Sequence, residues 1–555
     1  MTGQSGRRGS WVVVRLARLA PFPISTSPAV FFDFESGASV SSADASWLLG
    51  HHETYATEVA PAAPARTSYD GLVLPGDFPD PTICKIGDTY WASATTAEWG
   101  AVFPLFKSTD LVHWELVSHV FPGRLPEWCD SNFWAPELFY EGGRVYLYYT
   151  ARRKGGVLSV AVASAERPEG PYTDHGPLVG EAAGSIDGFP IRDENGVLHL
   201  VWKNDGNSRN RATPIWAQRL NEHKMKLVGK RHELFRNDAP WEGPLVEGSA
   251  MVHHNGYFYM FYAGNACCGK YCTYAEGVAR SRTLLGPWEK CPQNPILTDN
   301  RHWKCPGHGT VAEKDGRWFL MHHAYAANSH EFVGRQGLLS EFTWNAQGWP
   351  EFVNNSPQAE PLADVSRLDV TDRFGGDALN LNWQWPVGQL PRLRVADNQL
   401  RLGANPTRLG SLLVRRTTAA TYTASVVVRA EELAGDTFAG IGAVGDPYNA
   451  LVVAYGNQRL QFWHVKSGQK NVLADVLLES TAALGLRLEC WGGSRYRFAY
   501  SPDGGRNWEP LRTEGFAING TYLPPWDRGV RVGLLAQGNE ASTVAFERFT
   551  LRNQR

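Results

Sequence analysis

Gly256-Tyr-Phe-Tyr-Met-Phe-Tyr262 puts a turn glycine in front of an unbroken run of aromatic and apolar residues, and the chain writes the same phrase four more times. The other copies are Gly87-Asp-Thr-Tyr-Trp-Ala92, Gly143-Arg-Val-Tyr-Leu-Tyr-Tyr149, Gly196-Val-Leu-His-Leu-Val-Trp202 and Gly316-Arg-Trp-Phe-Leu-Met-His322. Their glycines are 56, 53, 60 and 60 residues apart. Most copies are followed by a further strand that ends near a turn and an aromatic, as in Gly286-Pro-Trp288 and Gly348-Trp349. Aromatic and β-branched residues favour strands, and a period of about 50–60 residues holding four strands is that of a β-propeller blade. Five copies predict five blades over residues 67–365.

The rest of the composition agrees with an all-β chain. With 56 Gly and 34 Pro, turn formers are abundant, and 66 residues are Trp, Tyr or Phe. Lys and Arg number 54 against 56 Asp and Glu, a formal charge of −2, so there is no basic surface to neutralise phosphates or hold an anionic membrane. No apolar run reaches the roughly 18 residues of a membrane span. Residues 1–32 contain Arg7, Arg8, Arg15 and Arg18 and no acid, but Arg15 and Arg18 interrupt the apolar stretch that a secretory signal needs. With Ala60-Pro-Ala-Ala-Pro-Ala65 behind it, residues 1–66 read as a peripheral or partly disordered extension. Eight cysteines include Cys267-Cys268-Gly-Lys-Tyr-Cys272, Cys291 and Cys305. Paired CxxC knuckles are missing, so a local disulfide or buried thiols is favoured over zinc.

In a propeller the strand before each turn glycine lies innermost, beside the central channel. Asp80 lies seven residues before its glycine, Trp134 nine, Asp187 nine, Glu247 nine and His308 eight. Five-fold arrangement aims three carboxylates, a histidine and a tryptophan at one axial pocket. Any one of these residues alone would read as a turn or packing residue; recurrence at one place in five blades favours a site. Carboxylates beside aromatics point to glycoside hydrolysis, where one acid protonates the leaving oxygen and another, ionised, activates water. Glu242, in Trp241-Glu-Gly-Pro244, competes for the acid's role but sits in a loop setting. Glu137 reads as a structural hydrogen-bonding residue. Trp99 and Trp202 read as core or pocket-wall aromatics, with Trp99 retained as a candidate substrate-binding residue. Of His322 and His323, adjacent on a strand, only one can face the channel.

Phe78-Pro79-Asp80-Pro81, Trp134-Ala-Pro-Glu-Leu138, Ser185-Ile-Asp187, Glu247-Gly-Ser249, Gly307-His-Gly309 and Gly334-Arg335 occur in that order. The series resembles glycoside hydrolase family 43, inverting five-bladed-propeller enzymes acting mostly on arabinose- and xylose-containing glycans. The resemblance implies Asp80 as general base, Glu247 as general acid and Asp187 as pKa modulator and orienter. It also implies Arg335 near the sugar and His308 beside a bound calcium ion, directly or through water, with a structural and electrostatic role; Trp134, from its place at the pocket, is a candidate substrate-binding residue, and no organic cofactor is expected. Glu247-Gly-Ser stands where Glu-Gly-Pro is commoner, and the cysteine loop is not general to the family. Residues 366–555, with alternating strands such as Tyr422-Thr-Ala-Ser-Val-Val-Val-Arg429, resemble the concanavalin-like β-sandwich that often follows such propellers. The sandwich reads first as a stabilising appendage, with glycan binding or a loop on the pocket rim as the alternative. The junction, with little Gly or Ser, predicts rigid docking.

The functional expectation is an inverting exo-glycosidase releasing terminal pentoses, α-L-arabinofuranose first. β-D-Xylose or galactose release are alternatives, and a non-catalytic carbohydrate-binding propeller is the reading from another class. The expected partner is a carbohydrate, with no nucleic acid, membrane or obligatory protein partner. An extracellular or periplasmic place follows from that substrate class, with a cytoplasmic one left open.

Overall fold

Each aromatic run becomes the second strand of a four- or five-stranded antiparallel sheet, and the glycine that opens each run lies in the left-handed region, with φ between 61° and 80°. At 142–143, 255–256 and 315–316 both loop residues are left-handed, as the tightest hairpin turn requires. A computed structural model describes residues 71–352, 364–479, 481–512 and 517–554. The extension read at 1–66 lies outside them, as do residues 359–363, the first half of the junction read at 359–368.

Blade 1 is Thr82–Ile86, Thr89–Ser93, Val102–Ser108 and Glu115–Phe121; blade 2 is Cys129–Glu141, Arg144–Arg153, Leu158–Ala165 and Thr173–Val179. Blade 3 is Ser185–Arg192, Leu198–Asn204, Ile215–Arg219 and His232–Phe235; blade 4 is Val246–His254, Tyr257–Gly264, Ala275–Ser281 and Glu289–Lys290. Blade 5 is Trp303–Lys314, Arg317–Ala326 and Arg335–Trp344, whose outer edge pairs with Leu72–Leu74 and with Pro350–Phe352. The first described strand thus closes the ring on the last blade.

Period-two alternation explains why the runs are apolar throughout. In blade 2, Val145, Leu147 and Tyr149 pack toward blade 1 against Val102, Phe103 and Leu105, while Tyr146 and Tyr148 pack toward blade 3 against Leu198, Leu200 and Trp202. Blade 4 repeats this: Phe258, Met260 and Tyr262 face Val201, Ile215 and Ala217 of blade 3, and Tyr259 and Phe261 face Leu320 and Phe342 of blade 5. Phe319 and Met321 then meet Tyr90, Ala92 and Phe106 of blade 1. Five interblade cores close a five-membered ring, and both faces of every blade are buried.

The second architecture is a sandwich. A nine-stranded sheet containing Thr421–Val428, Leu484–Trp491 and Thr543–Gln554 covers a six-stranded one containing Phe438–Asp446, Asn449–Gly456 and Arg531–Gln537. Val426, Leu486 and Phe546 of the first meet Ile441, Val453 and Leu534 of the second in one core. Propeller and sandwich belong to one compact unit. Trp99–Gly100 pairs with Trp385–Pro386, the Phe332 carbonyl accepts from Val530 N–H, and Arg416 Nε donates to the Asp77 carbonyl at 2.8 Å. Buried between the two, the Asp77 carboxylate accepts from Arg531 at 2.9 Å and from the N–H groups of Gly529 and Arg335, each at 3.1 Å.

Candidate active site

Four inner strands break register at one level, between Trp134 and Glu137, Ile186 and Phe189, Glu247 and Ala250, and Gly307 and Thr310. At each bulge one residue is left-handed: Ala135 (φ 43°), Asp187 (59°), Gly248 (63°) and His308 (52°). Asp80 (φ 52°) does the same just before the inner strand of blade 1. A bulge kinks its strand and re-aims side chains, and a left-handed non-glycine residue costs about 1–3 kcal/mol, held in place by the surrounding ring. The structurally equivalent positions are therefore Ala135 and Gly248, so the tryptophan and glutamate read as equivalent to Asp80 stand one residue earlier.

Asp80 is buried in a basic cradle. Thr95 Oγ1 donates to its Oδ2 at 2.7 Å, and Arg335 donates to Oδ1 at 3.0 Å. His308 Nδ1 lies 3.5 Å from Oδ1. Burial would raise this carboxyl, but the Arg335 guanidinium first and His308 next outweigh it and hold it well below the usual carboxylate range. The Asp80 N–H donates to His323 Nδ1 at 3.1 Å, and burial, with Arg335 adding, pushes His323 down to about 4. Its imidazole is neutral at ordinary pH. His322 faces away into the blade, bonded to Ser340 at 2.9 Å.

Asp187 hangs on the Thr150 hydroxyl by its N–H (3.1 Å), and its Oδ2 accepts from Gly248 N–H at 2.9 Å, the residue after Glu247. Burial pushes Asp187 up to about 6; the Glu247 carboxylate adds to this, while His308 and Lys203 pull against it. Glu247 is gripped at both oxygens. Lys203 Nζ meets Oε2 at 2.6 Å and the Tyr274 hydroxyl donates to Oε1 at 2.9 Å. Burial opposes the charge on Lys203, but Glu247, Asp205 and Asp187 more than offset it and raise the ammonium above its ordinary value.

These groups face one cavity of about 310 Å³, lined by Asp80, Trp134, Asp187, Glu247, His308 and Arg335 together with Lys203, Asp205, Cys267, Cys268 and Trp526. Trp526 and Asp527 come from the sandwich. Trp526 meets Trp134 edge to face at 6.0 Å, and the Asp527 carbonyl accepts from Arg335 at 3.1 Å. The appendage reading is thereby corrected: a sandwich loop forms one cavity wall. Trp99 is a second correction. It is 1% exposed and packs with Leu409, Leu412 and Trp463 of the sandwich, away from the cavity. Trp202 is core as well, with its indole N–H on Glu181. Glu242 is fully buried, bonded to Tyr262 and Lys290 and capping the Asp238 and Ala239 N–H groups, which removes it as a rival acid. Glu137 lies outside the cavity, pushed up to about 8 by burial.

The cysteines form two disulfides, Cys267–Cys268 and Cys272–Cys305, while Cys291 is free. Calcium takes six to eight oxygen ligands, whereas His308 offers one nitrogen and its nearest carboxylate, Asp80, is already engaged by Arg335 and Thr95. Among the described residues no three His, Cys, Asp or Glu side chains converge. A calcium ion beside His308 would take most of its oxygen ligands from water, and no step of the proposed mechanism passes through a metal. Lys203, Tyr274 and Trp526 have no place in the sequence reading, while His323 is the one of the adjacent histidine pair that reaches Asp80. Lys203 alone carried a signal, a lysine closing the apolar strand Leu198-His-Leu-Val-Trp202.

The family model for glycosyl hydrolases family 43 matches residues 69–350, half of the chain. The chain belongs to this family. The model for the beta xylosidase C-terminal concanavalin A-like domain matches residues 371–552. A xylosidase/arabinosidase of Humicola insolens is 30% identical over 318 residues, covering 53% of this chain and 56% of the relative. A non-reducing end α-L-arabinofuranosidase of Bacteroides ovatus is 25% identical over 465 residues, covering 76% and 82%. The chain thus spans little more than half the length of the Humicola relative and most of the Bacteroides one. A xylan β-1,4-xylosidase of Bacillus halodurans C-125 superposes with a TM-score of 0.74 at 22% identity, over 87% of this chain and 99% of that one. The fold of family 43, a five-bladed propeller followed by a β-sandwich, is the fold described above.

Proposed function

We propose that this glycoside hydrolase releases terminal pentoses from the non-reducing end of plant-type glycans with inversion, α-L-arabinofuranose first and β-D-xylose second. One observation carries the reading: three carboxylates, on or just before the inner strands of blades 1, 3 and 4, surround a cavity of about 310 Å³ that the sandwich loop walls on one side. That volume is at the small end for ligand pockets, which suits one sugar ring and an exo mode of attack. The names of the Humicola and Bacteroides relatives support the sugar class.

Asp80, kept ionised by Arg335 and His308, is the general base that takes a proton from water attacking the anomeric carbon. Glu247 is the general acid that protonates the leaving oxygen. Lys203 and Tyr274 set the direction of its carboxyl, and Lys203 meets the carboxylate left when the proton has gone. Asp187 holds the backbone of the acid through Gly248 N–H. Arg335 and Trp134 contact the sugar.

A panel of nitrophenyl glycosides, with Asp80→Ala and Glu247→Ala beside the wild type, tests this. Glu247→Ala is expected to lose about 10²–10⁴-fold on natural glycosides and much less on dinitrophenyl glycosides, whose leaving group needs no proton. Asp80→Ala fails on both. Equal losses for Glu247→Ala on good and poor leaving groups would overturn the assignment. No turnover of any pentoside, galactoside or fucoside would favour a carbohydrate-binding propeller.

A further inference from the structure

The motif Cys267-Cys268-Gly-Lys-Tyr-Cys272 still lacks a role. It lies between the second and third strands of blade 4, and its first two cysteines, bonded to each other, line the cavity that holds Asp187 and Glu247. The loop is anchored on three sides. Thr273 N–H donates to the Ala266 carbonyl at 2.8 Å, Gly269 N–H donates to the Tyr325 hydroxyl at 3.0 Å, and Cys272–Cys305 ties the loop to the inner strand of blade 5. Behind Cys267 pack Leu245, Ala263, Tyr274 and Tyr325. Tyr274 is also the residue that donates to Glu247.

The cavity walls differ in chemistry. Lys203 and Asp205 present charge. A disulfide has two polarisable sulfurs with no proton to donate and little power to accept. Closed on itself, the pair has no thiol free to rotate, so its surface is ordered before a ligand arrives. A sugar ring has the complementary asymmetry, hydroxyls around its edge and C–H groups on its face. An unbonded polar side chain against that face would be desolvated without compensation.

We propose that the Cys267–Cys268 disulfide is the apolar surface on which the C–H face of the terminal sugar rests beside Glu247, making it a specificity-determining element of the pocket. This rests on the reading of the cavity as the site of the terminal sugar.

Cys267→Ala/Cys268→Ala tests it, with Kd for L-arabinose and D-xylose from calorimetry and KM and kcat on the preferred nitrophenyl pentoside. Kd and KM are expected to rise about tenfold or more, the scale of a lost apolar contact in a sugar-sized pocket, with a smaller change in kcat. Cys272→Ala/Cys305→Ala removes the anchor and spares the surface; it is expected to lower Tm and to change Kd by less than about threefold. An unchanged Kd in the first variant, or equal losses of affinity in both, would overturn the proposal. If the first variant does not fold, a co-crystal of the wild type with the same sugars decides: ring carbons within about 4 Å of the sulfurs uphold it, and hydroxyls or empty space there reject it. Wild-type protein that binds these sugars but turns over no glycoside would defeat the glycosidase reading and leave this one standing.

Discussion

Asp80 and Asp187 share one cavity and are driven in opposite directions. Asp80 is held below its ordinary range, so its ionised form stabilises the fold above that range, and the contribution is lost only as pH falls through its depressed value. Asp187 is raised: its contribution is fully present below the ordinary carboxylate value of about 4 and is lost as pH rises through about 6. Asn mimics the protonated carboxyl and keeps an oxygen for Gly248 N–H. Asp187→Asn should therefore raise Tm over the wild type at about pH 7.5 and leave it nearly unchanged at about pH 3.5. Activity should fall, because the charge facing the Glu247 and His308 pair has gone. Thermal melts across that range check the sign, and a Tm difference independent of pH would contradict the burial account of Asp187.

The element that makes the site is the bulge. Gly248 has φ +63°, and a Cβ there would lie 2.8 Å from His308 Cγ. Gly248→Ala should push His308 away from Asp80 and tilt Glu247, lowering kcat by about 10²-fold with a fall in Tm. A variant with wild-type kcat would show that the tight approach of blades 4 and 5 is not needed for catalysis. The bulges also mark where sequence reading stopped. The blades were legible because Gly256 and its four counterparts sit at turns that only left-handed residues close, and because runs such as Tyr257–Tyr262 are apolar on both faces. The carboxylates were legible because they recur seven to nine residues before those turns. The left-handed residues at the bulges are Asp, Ala, Gly and His, which share no signature, so the register came out one residue early at Trp134 and Glu247. Tyr274 lies just before the third strand of blade 4, and its approach to Glu247 follows from the packing of that blade alone. Trp99 was misplaced because an aromatic in a turn-rich stretch suits an interface as well as a pocket, and Leu409, Leu412 and Trp463 that cover it lie more than 300 residues away in sequence.

For the whole molecule, the sandwich and propeller are joined through buried charge at the cavity's edge. Asp77 and Arg531 are each 2% exposed or less at the side chain, and the neighbouring Arg335 reaches Asp80 with one nitrogen and the sandwich carbonyl of Asp527 with another. Arg531→Met would leave Asp77 buried without its charge partner, at a cost of about 3–5 kcal/mol. Denaturant melts should show that loss with a parallel fall in activity, since the Asp77 carboxylate also holds Arg335 N–H. Unchanged stability would mean that the domains are held by other contacts. That coupling is why a chain with a propeller site carries its second domain into the chemistry. The reaction itself has one most direct test: proton NMR of the sugar first released from an α-L-arabinofuranoside or a β-D-xyloside, recorded before mutarotation. With Asp80 activating water on the face opposite the Glu247-protonated bond, the first-formed anomer is the inverted one, β-L-arabinose or α-D-xylose. First appearance of the retained anomer would contradict the roles given to both carboxylates.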